Sequence, residues 1–425
     1  MITKDNFINY FRSGIKETND CGIGIEHEKF VFLENKRADY QSILNLFEKL
    51  YEFGWEPVKE GINIIALKKG NKNITLEPGN QIELSGEKLK SIHQTCGESQ
   101  EYIFELNQSL KKLNLNLISS GFDPISKIEE VPSNPKNRYE LMTKIMPLFG
   151  KLSLDMMYRT CGTQVNIDYT SEKDFSKKFF VVNRLVPITI ALFANSGIVE
   201  KNKSGYLSYR SYAWQNTYRG GLPKIFLENM DFEKYADFSL NYPMLFLKRN
   251  DKYIDAKNKT FQNFIDGDIE KASPNEEDVA DHLSTIFTEN RLKKYIEIRS
   301  MDACGWDCLC AGPAFFIGLL YGNLDEVFDV VKRWNVDEII SAYKDSPKKG
   351  LKTILGKKSI LDWSKDLFEI SKQGLVNRNE LNSKKQNEVK FLDHIKTIID
   401  TNSTNAEAIM AQYQKDKNFF NINEK

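Results

Sequence analysis

Acidic side chains recur in this sequence at spacings that suit metal and phosphate chemistry. In Gly22-Ile23-Gly24-Ile25-Glu26-His27-Glu28-Lys29-Phe30, Glu26 and Glu28 are two residues apart. In a strand that spacing puts both carboxylates on one face and Ile25, His27 and Lys29 on the other. Like charges so placed repel unless something positive lies beside them, and hard divalent cations such as Mg²⁺ take carboxylate oxygens. Taken alone, the pair fits the solvated face of an edge strand better, because acids are mostly exposed. Further acids change the balance. Glu77 and Glu83 belong to a hairpin over 74–86, turned by Pro78-Gly79-Asn80, and Glu83 shares a face with Gln81. Gln164, Asn166 and Asp168 line one face of a strand-like stretch over 156–169. Glu297 and Arg299 share a face over 295–300. Acids and amides on four strands of one antiparallel sheet can converge on two or more Mg²⁺ ions, which bridge nucleotide phosphates in phosphoryl transfer. Arg299 on the same face would stabilise the transferring phosphoryl group. His27, on the opposite face, reads as packing or hydrogen-bonding behind such a site.

Arginines mark a second candidate region. Residues 206–222 hold Arg210, Trp214, Arg219 and a glycine pair in an irregular stretch. Guanidinium pairs bidentately with carboxylate or phosphate, so anion recognition is one reading. A core tryptophan with surface arginines is the other.

The elements that must position these groups alternate between helix and strand. Periodicity predicts helices over 6–16, 40–53 and 91–113, with Gly54 as a C-cap after Ile43, Leu44, Phe47 and Leu50. A strand over 116–121 is closed by Asp123-Pro124, and Arg138-Tyr139 open a helical stretch reaching Pro147. A helix over 175–193 is expected to kink at Pro187. A strand over 244–249, short helices over 260–265 and 274–283, and an apolar helix over 311–321 follow. From about 323 to its end the chain reads as helical and lysine-rich, with stripes such as Phe328, Val331 and Trp334. Strands separated by long helices, with no repeat or low-complexity linker, favour one α+β unit over 1–425.

Composition excludes some partners. Lys plus Arg equals Asp plus Glu at 59 each, which gives no bias toward nucleic acid or an acidic membrane. The start, Met1-Ile2-Thr3-Lys4-Asp5-Asn6, shows no basic and apolar signal pattern, and the run over 311–321 is too short to span a bilayer. A cytoplasmic protein is the expectation. Six cysteines then default to thiols, and Cys304, Cys308 and Cys310 read as buried or redox-responsive thiols because no second pair completes a zinc pattern. No histidine pair at i, i+4, no P-loop, no dinucleotide fingerprint and no nucleophile elbow is present.

The ordered set of motifs resembles a known family. Residues 24–30, Leu76-Glu77-Pro78-Gly79, Glu83-Leu84-Ser85-Gly86, His93-Gln94-Thr95-Cys96 and Gly121-Phe122-Asp123-Pro124 are similar to glutamate–cysteine ligases of the plant and alphaproteobacterial type. So are Arg159-Thr160-Cys161, Gln164-Val165-Asn166, Glu297-Ile298-Arg299, Trp306, Leu309-Cys310-Ala311 and Pro313-Ala314-Phe315. The likeness runs in order from Gly22 to Phe391-Leu392-Asp393.

The resemblance implies a glutamine-synthetase-like core, a largely antiparallel sheet with surrounding helices, acting as monomer or homodimer. It implies that ATP phosphorylates the γ-carboxylate of L-glutamate and that the amine of L-cysteine displaces phosphate, giving γ-glutamylcysteine, the first step toward glutathione. By position it implies Glu26, Glu28, Glu83 and Glu297 as Mg²⁺ ligands, with Glu77 and Gln164 as further ones. Arg299 resembles the group that holds the transferred phosphate, and Arg210 one that grips glutamate. Arg138, Tyr139 and Thr163 match positions around the glutamate and cysteine pockets, with ordinary helix-start and strand residues as the plain alternatives. Arginines often follow the tryptophan at 306 in that family, where this chain has Asp307 and Cys308. The family's regulatory disulfides map onto no evident pair. A ligase with another amine acceptor and a non-catalytic ligand sensor are the competing readings.

Overall fold

The computed structural model describes residues 2–250, 252–269, 272–416 and 419–421. Its centre is a ten-stranded sheet whose pairings are all antiparallel. The strands are β1 (Ile23–Leu33), β2 (Lys36–Arg37), β3 (Glu56–Glu60), β4 (Asn63–Lys69), β5 (Lys72–Leu76), β6 (Ile82–Ser85), β7 (Leu115–Ile118), β8 (Gly162–Ile167), β9 (Asn290–Leu292) and β10 (Ile296–Asp302). They lie in the order β9-β10-β8-β1-β6-β5-β4-β3. The first half of β1 pairs with β6 and β8, and its second half with β7 and β2.

Alternation along the strands divides the sheet into an apolar back and a polar front. Ile23, Ile25, Val165, Ile167, Ile296 and Ile298 are at most 3% exposed and join the largest core cluster. Each such side chain contributes about 1.5–3 kcal/mol by leaving water. Ile74, Leu76, Ile82 and Leu84 join a second cluster with Ile43, Phe47, Tyr102 and Leu106 from the helices Tyr40–Leu50 and Ile92–Leu113. Burying the apolar face leaves Glu26 and Glu28 on the other, because a one-residue slip would exchange the two sets.

The turn between β5 and β6 is held from below. Arg37 pairs with Asp123 at 3.1 Å, both side chains fully buried. Asp123 also accepts from the amides of Ile125 and Ser126, and Arg37 donates to the carbonyl of Gly79 in the turn. Asp123 therefore does more than close a strand. Asn80 takes a positive φ of 59° and is 1% exposed, which fixes the turn that presents Glu77.

Several elements differ from expectation. Residues 156–159 are the end of helix α1 (Ser153–Arg159), and the strand begins at Gly162. Asp155 and Arg159 pair at i, i+4 and Thr160 Oγ1 donates to the Met156 carbonyl, so helical contacts prevail there. The stretch over 175–193 is two helices, α2 (Glu172–Arg184) and α3 (Val186–Leu192). Pro187 lies in the first turn of the second helix, where its missing N–H costs nothing, and the interruption expected at this proline falls at Leu185. The irregular 206–222 contains helix α4 (Tyr209–Gln215), with Ser208 as N-cap accepting from the Ser211 amide. The first helix is Lys4–Arg12.

Beyond 323 the described chain is largely helical, with a small hairpin at Ile354–Leu355 and Lys358–Ser359, and its expected helical end at 417–418 and 422–425 lies outside the described residues. The reading of six thiols is corrected: Cys96 is bonded to Cys310 and Cys304 to Cys308, leaving Cys21 and Cys161 free. Folding brings the first pair together across 214 residues, a proximity invisible in spacing. Among the described residues no single helix is long and apolar enough to cross a membrane.

Candidate active site

Strand register assembles the acids. Glu28 stands opposite Glu83 on β6, Glu26 opposite Gln164 on β8, Asn166 opposite Glu297 on β10, and Glu297 opposite Arg291 on β9. Glu26, Glu28, Glu83, Gln164 and Arg291 line a cavity of about 240 Å³ that also meets Glu77, Arg138, Tyr139, Lys293 and Arg299, while Asn166 and Glu297 lie outside its wall. The cavity thus gathers Glu26, Glu28, Glu77, Glu83 and Gln164 from sequence regions up to 138 residues apart.

The acids are oriented by neutral donors. Glu28 accepts from the Gly162 amide at 2.6 Å, Glu26 from Asn166 Nδ2 at 2.8 Å, and Glu83 from Thr75 Oγ1 and Ser85 Oγ at 3.2 and 3.3 Å. Tyr139 donates its hydroxyl to Glu77 at 3.2 Å. Burial, then the negative charge of Glu77, pushes Glu28 up to about 7. Burial and then Glu26, Glu77 and Glu28 raise Glu83 as well. Crowded carboxylates with raised affinity for protons are sites where a cation relieves repulsion.

No three of the described acids, as they stand, close into a metal cage. The donor set still fits Mg²⁺, which keeps several waters and is held by one or two carboxylates plus substrate phosphates.

The opposite edge carries Arg299, as expected, and two cations that the sequence reading missed, Arg291 and Lys293. Arg291 Nε donates to Glu297, Lys293 Nζ lies 2.7 Å from its other oxygen, and Arg299 Nη1 is 3.7 Å away. Burial would raise Glu297, but these three cations outweigh it and hold the carboxyl well below the usual range. A metal at Glu297 would therefore have to displace Lys293 from it. Arg299 donates to Gln164 Oε1 at 2.6 Å, and Gln164 Nε2 reaches Glu28 at 3.4 Å. Alternation in β9 was the available signal for Arg291, but only pairing with β10 puts it opposite Glu297.

The far end of the cavity is apolar. Met142, Met156, Met157, Trp214, Phe246 and Phe287 line it beside Arg138 and Tyr139. Arg138 donates to the Tyr139 hydroxyl at 2.8 Å, and Tyr139 is 4% exposed.

Two residues fall elsewhere. Thr163 stands opposite His27, on the back of the sheet, because it is one residue out of phase with Gln164. His27 itself is 2% exposed, near Ser99 Oγ at 3.2 Å, and burial and then Lys29 push it down to about 3, which agrees with a packing role. Arg210 is 3% exposed and lies beneath the cavity rather than along it. Its Nη2 donates to the Arg299 carbonyl at 2.9 Å and its guanidinium lies 5.2 Å from the Trp214 ring. Trp214 also carries Arg299 at 5.5 Å. Arg219 is buried too, tied to Thr285 and 4.8 Å from the Tyr242 ring.

Residues 22–421 match the description of Glutamate-cysteine ligase family 2. The chain belongs to this family. Among curated proteins it is 38% identical over 423 residues to the chloroplastic glutamate–cysteine ligase of Solanum lycopersicum, covering 97% of this chain and 80% of that protein. It is 39% identical to the enzyme of that name from Brassica juncea, over 97% of this chain and 81% of the relative. Among solved structures, a bifunctional glutathione synthetase from Pasteurella multocida superposes with a TM-score of 0.50 at 12% identity, covering 98% of this chain and 51% of that one. At that identity the likeness speaks for the fold alone, the glutamine-synthetase-like arrangement of an antiparallel sheet under helices. The expectation of a cytoplasmic ligase is overturned by the relatives, which are named chloroplastic.

Proposed function

We propose that the chain, acting as one catalytic unit, forms γ-glutamylcysteine from L-glutamate and L-cysteine at the expense of ATP. The observation that carries this reading is the single polar face shared by Glu26, Glu28, Glu83, Gln164 and Arg299 in a family of glutamate–cysteine ligases. A carboxylate is a poor acylating agent, and phosphorylation gives it a leaving group. Mg²⁺ bound at Glu26, Glu28, Glu83 and Glu77, with Gln164 and Glu297 at the margin, would neutralise phosphate charge. Arg299, Arg291 and Lys293 form the cationic edge that stabilises the transferring phosphoryl group. Arg138 and Tyr139 stand at the amino-acid end, where a guanidinium can hold an α-carboxylate. Arg210 and Trp214 hold the strand that presents Arg299.

The test is release of ADP from MgATP with L-glutamate, read against a panel of amine acceptors that includes L-cysteine. Cysteine-dependent turnover is the expected result. Turnover with another amine instead would transfer the reading to a ligase of different acceptor. Ligand binding without turnover would make the protein a sensor.

A further inference from the structure

A second cavity, of about 510 Å³, shares no lining residue with the catalytic one. It is walled by the end of β7 with Ser119, by Asn195 after α3, by the turn at Gly305-Trp306, and by the helices Asp393–Thr401 and Asn405–Lys415. Its volume suits a small organic molecule. Trp306, Ile409, Phe419 and Phe420 give it an apolar, aromatic lining. Trp306 is 43% exposed, whereas Trp55, Trp214 and Trp334 are buried.

Two of the lining residues carry buried polar atoms with no partner among the described residues, Asn195 Oδ1 and His394 Nε2. Asn195 is 3% exposed, and its orientation is set. Its Nδ2 donates to the carbonyls of Ser119 and Ala303 at 3.1 and 2.8 Å, so Oδ1 is the atom left over. A buried acceptor without a donor destabilises the fold, and an N–H from a ligand would relieve it. Burial pushes His394 down, so the ring is neutral near pH 7 and Nε2 can give or take one hydrogen bond.

Charge narrows the ligand further. Among the described lining residues Asp307 is the only ionised side chain. Lys29 does not line the cavity, and its Nζ donates to Ser119 Oγ. A phosphate or carboxylate would therefore meet a like charge and no facing cation.

We propose that this cavity binds an uncharged purine nucleoside of the adenosine type. The base lies against Trp306, its amino group donates to Asn195 Oδ1, and a ring nitrogen accepts from His394 Nε2. An aliphatic ligand would leave the aromatic wall without a flat partner, and one lacking an N–H would leave Oδ1 unpaired. Asn405 and Gln412, which also line the cavity, suit the ribose hydroxyls. The site is distinct from the Mg²⁺ and phosphate face, and the inference does not rest on the ligase reading.

The test is isothermal titration of the full chain with adenosine, alone and with Mg²⁺ and adenylyl imidodiphosphate present to fill the catalytic nucleotide site. One adenosine per chain is expected, with an affinity that the analogue leaves unchanged. Inosine carries a carbonyl in place of the amino group and turns an acceptor toward Asn195 Oδ1, so it should bind at least about tenfold more weakly. Trp306→Ala and His394→Leu should each weaken adenosine binding about tenfold, whereas Trp306→Phe keeps a ring and most of the affinity.

No adenosine binding, displacement of adenosine by the analogue, or equal affinity for adenosine and inosine overturns the proposal. Wild-type affinity in both Trp306→Ala and His394→Leu overturns it as well. If circular dichroism shows that these variants do not fold, the comparison of adenosine with inosine on the wild type decides.

Discussion

Arg299 donates from Nη1 to Gln164 Oε1 at 2.6 Å, and the amide nitrogen of the same glutamine faces Glu28. One neutral side chain thus spans a buried cation and a half-buried acid. Gln164→Leu keeps the volume and removes both contacts. It is expected to lower kcat about 100-fold, as removal of a positioned donor does. Its stability loss should stay within about 1–3 kcal/mol, the usual cost of an unsatisfied buried group. Thermal melts and steady-state kinetics on the same preparation check it, and full activity would show that the link is incidental.

Glu28 is held next to Glu77 and Glu83 with its proton affinity raised. Glu28→Gln removes that repulsion while preserving shape, so turnover should vanish and the melting temperature without Mg²⁺ should hold or rise. Added Mg²⁺ should raise the melting temperature of the wild type and not of the variant. An active Glu28→Gln enzyme would remove this strand from the metal site.

Arg291 is the partner of Glu297 across β9 and β10. Arg291→Met is expected to cut kcat/KM for ATP about 100-fold. Because Lys293 remains on Glu297, the fold should persist. Circular dichroism separates the two effects, and a variant with normal ATP kinetics would exclude Arg291 from the phosphate edge.

Gly162 gives its amide to Glu28 and leaves room for Arg210. A Cβ there would stand 2.6 Å from Arg210 Nη2. Gly162→Ala must therefore push Arg210 away from the Arg299 carbonyl. The expected cost is about 1–3 kcal/mol of stability, with a marked fall in kcat. Urea denaturation and turnover measure the two, and a neutral variant would show that Arg210 can move freely.

His282 is 2% exposed and bonds through Nε2 with the Ser239 carbonyl at 2.8 Å. Burial, and then the charge of Arg219, push it down to about 3. Below about pH 6.5 the unfolded chain takes up a proton there that the folded protein refuses. The stability from neutral His282 is complete above that pH and is lost as pH falls toward 3. His282→Gln cannot titrate, so between pH 6 and 4 the wild type should lose about 1.4 kcal/mol per pH unit more than the variant. Urea denaturation at several pH values reads this, and equal slopes would contradict it.

The strand carrying Glu26 and Glu28 was legible because period-two alternation is a local property, and β1 runs from Ile23 as that pattern requires. The turn at Pro78-Gly79-Asn80 was legible for the same reason. Helix α4 was not, since Tyr209–Gln215 has little periodicity and is held by its Ser208 cap and its packing. The segment over 156–159 looked extended because its residues suit either state, and its i, i+4 pair tipped it to helix.

By itself, the sequence determined which residues could serve the chemistry: acids at i, i+2, a turn between two further acids, and an arginine beside a glutamate. Family membership followed from the order of those motifs. Tertiary structure alone decided which of them meet. Strand register put Thr163 behind the sheet and Gln164 in front of it, although they are neighbours in the chain. Packing sent Arg210 beneath the cavity, joined Cys96 to Cys310, and brought Arg291 and Lys293 onto Glu297. The physical reason is that alternation fixes only the side of a strand on which a residue lies. The partner opposite depends on contacts between distant segments, which no local pattern encodes.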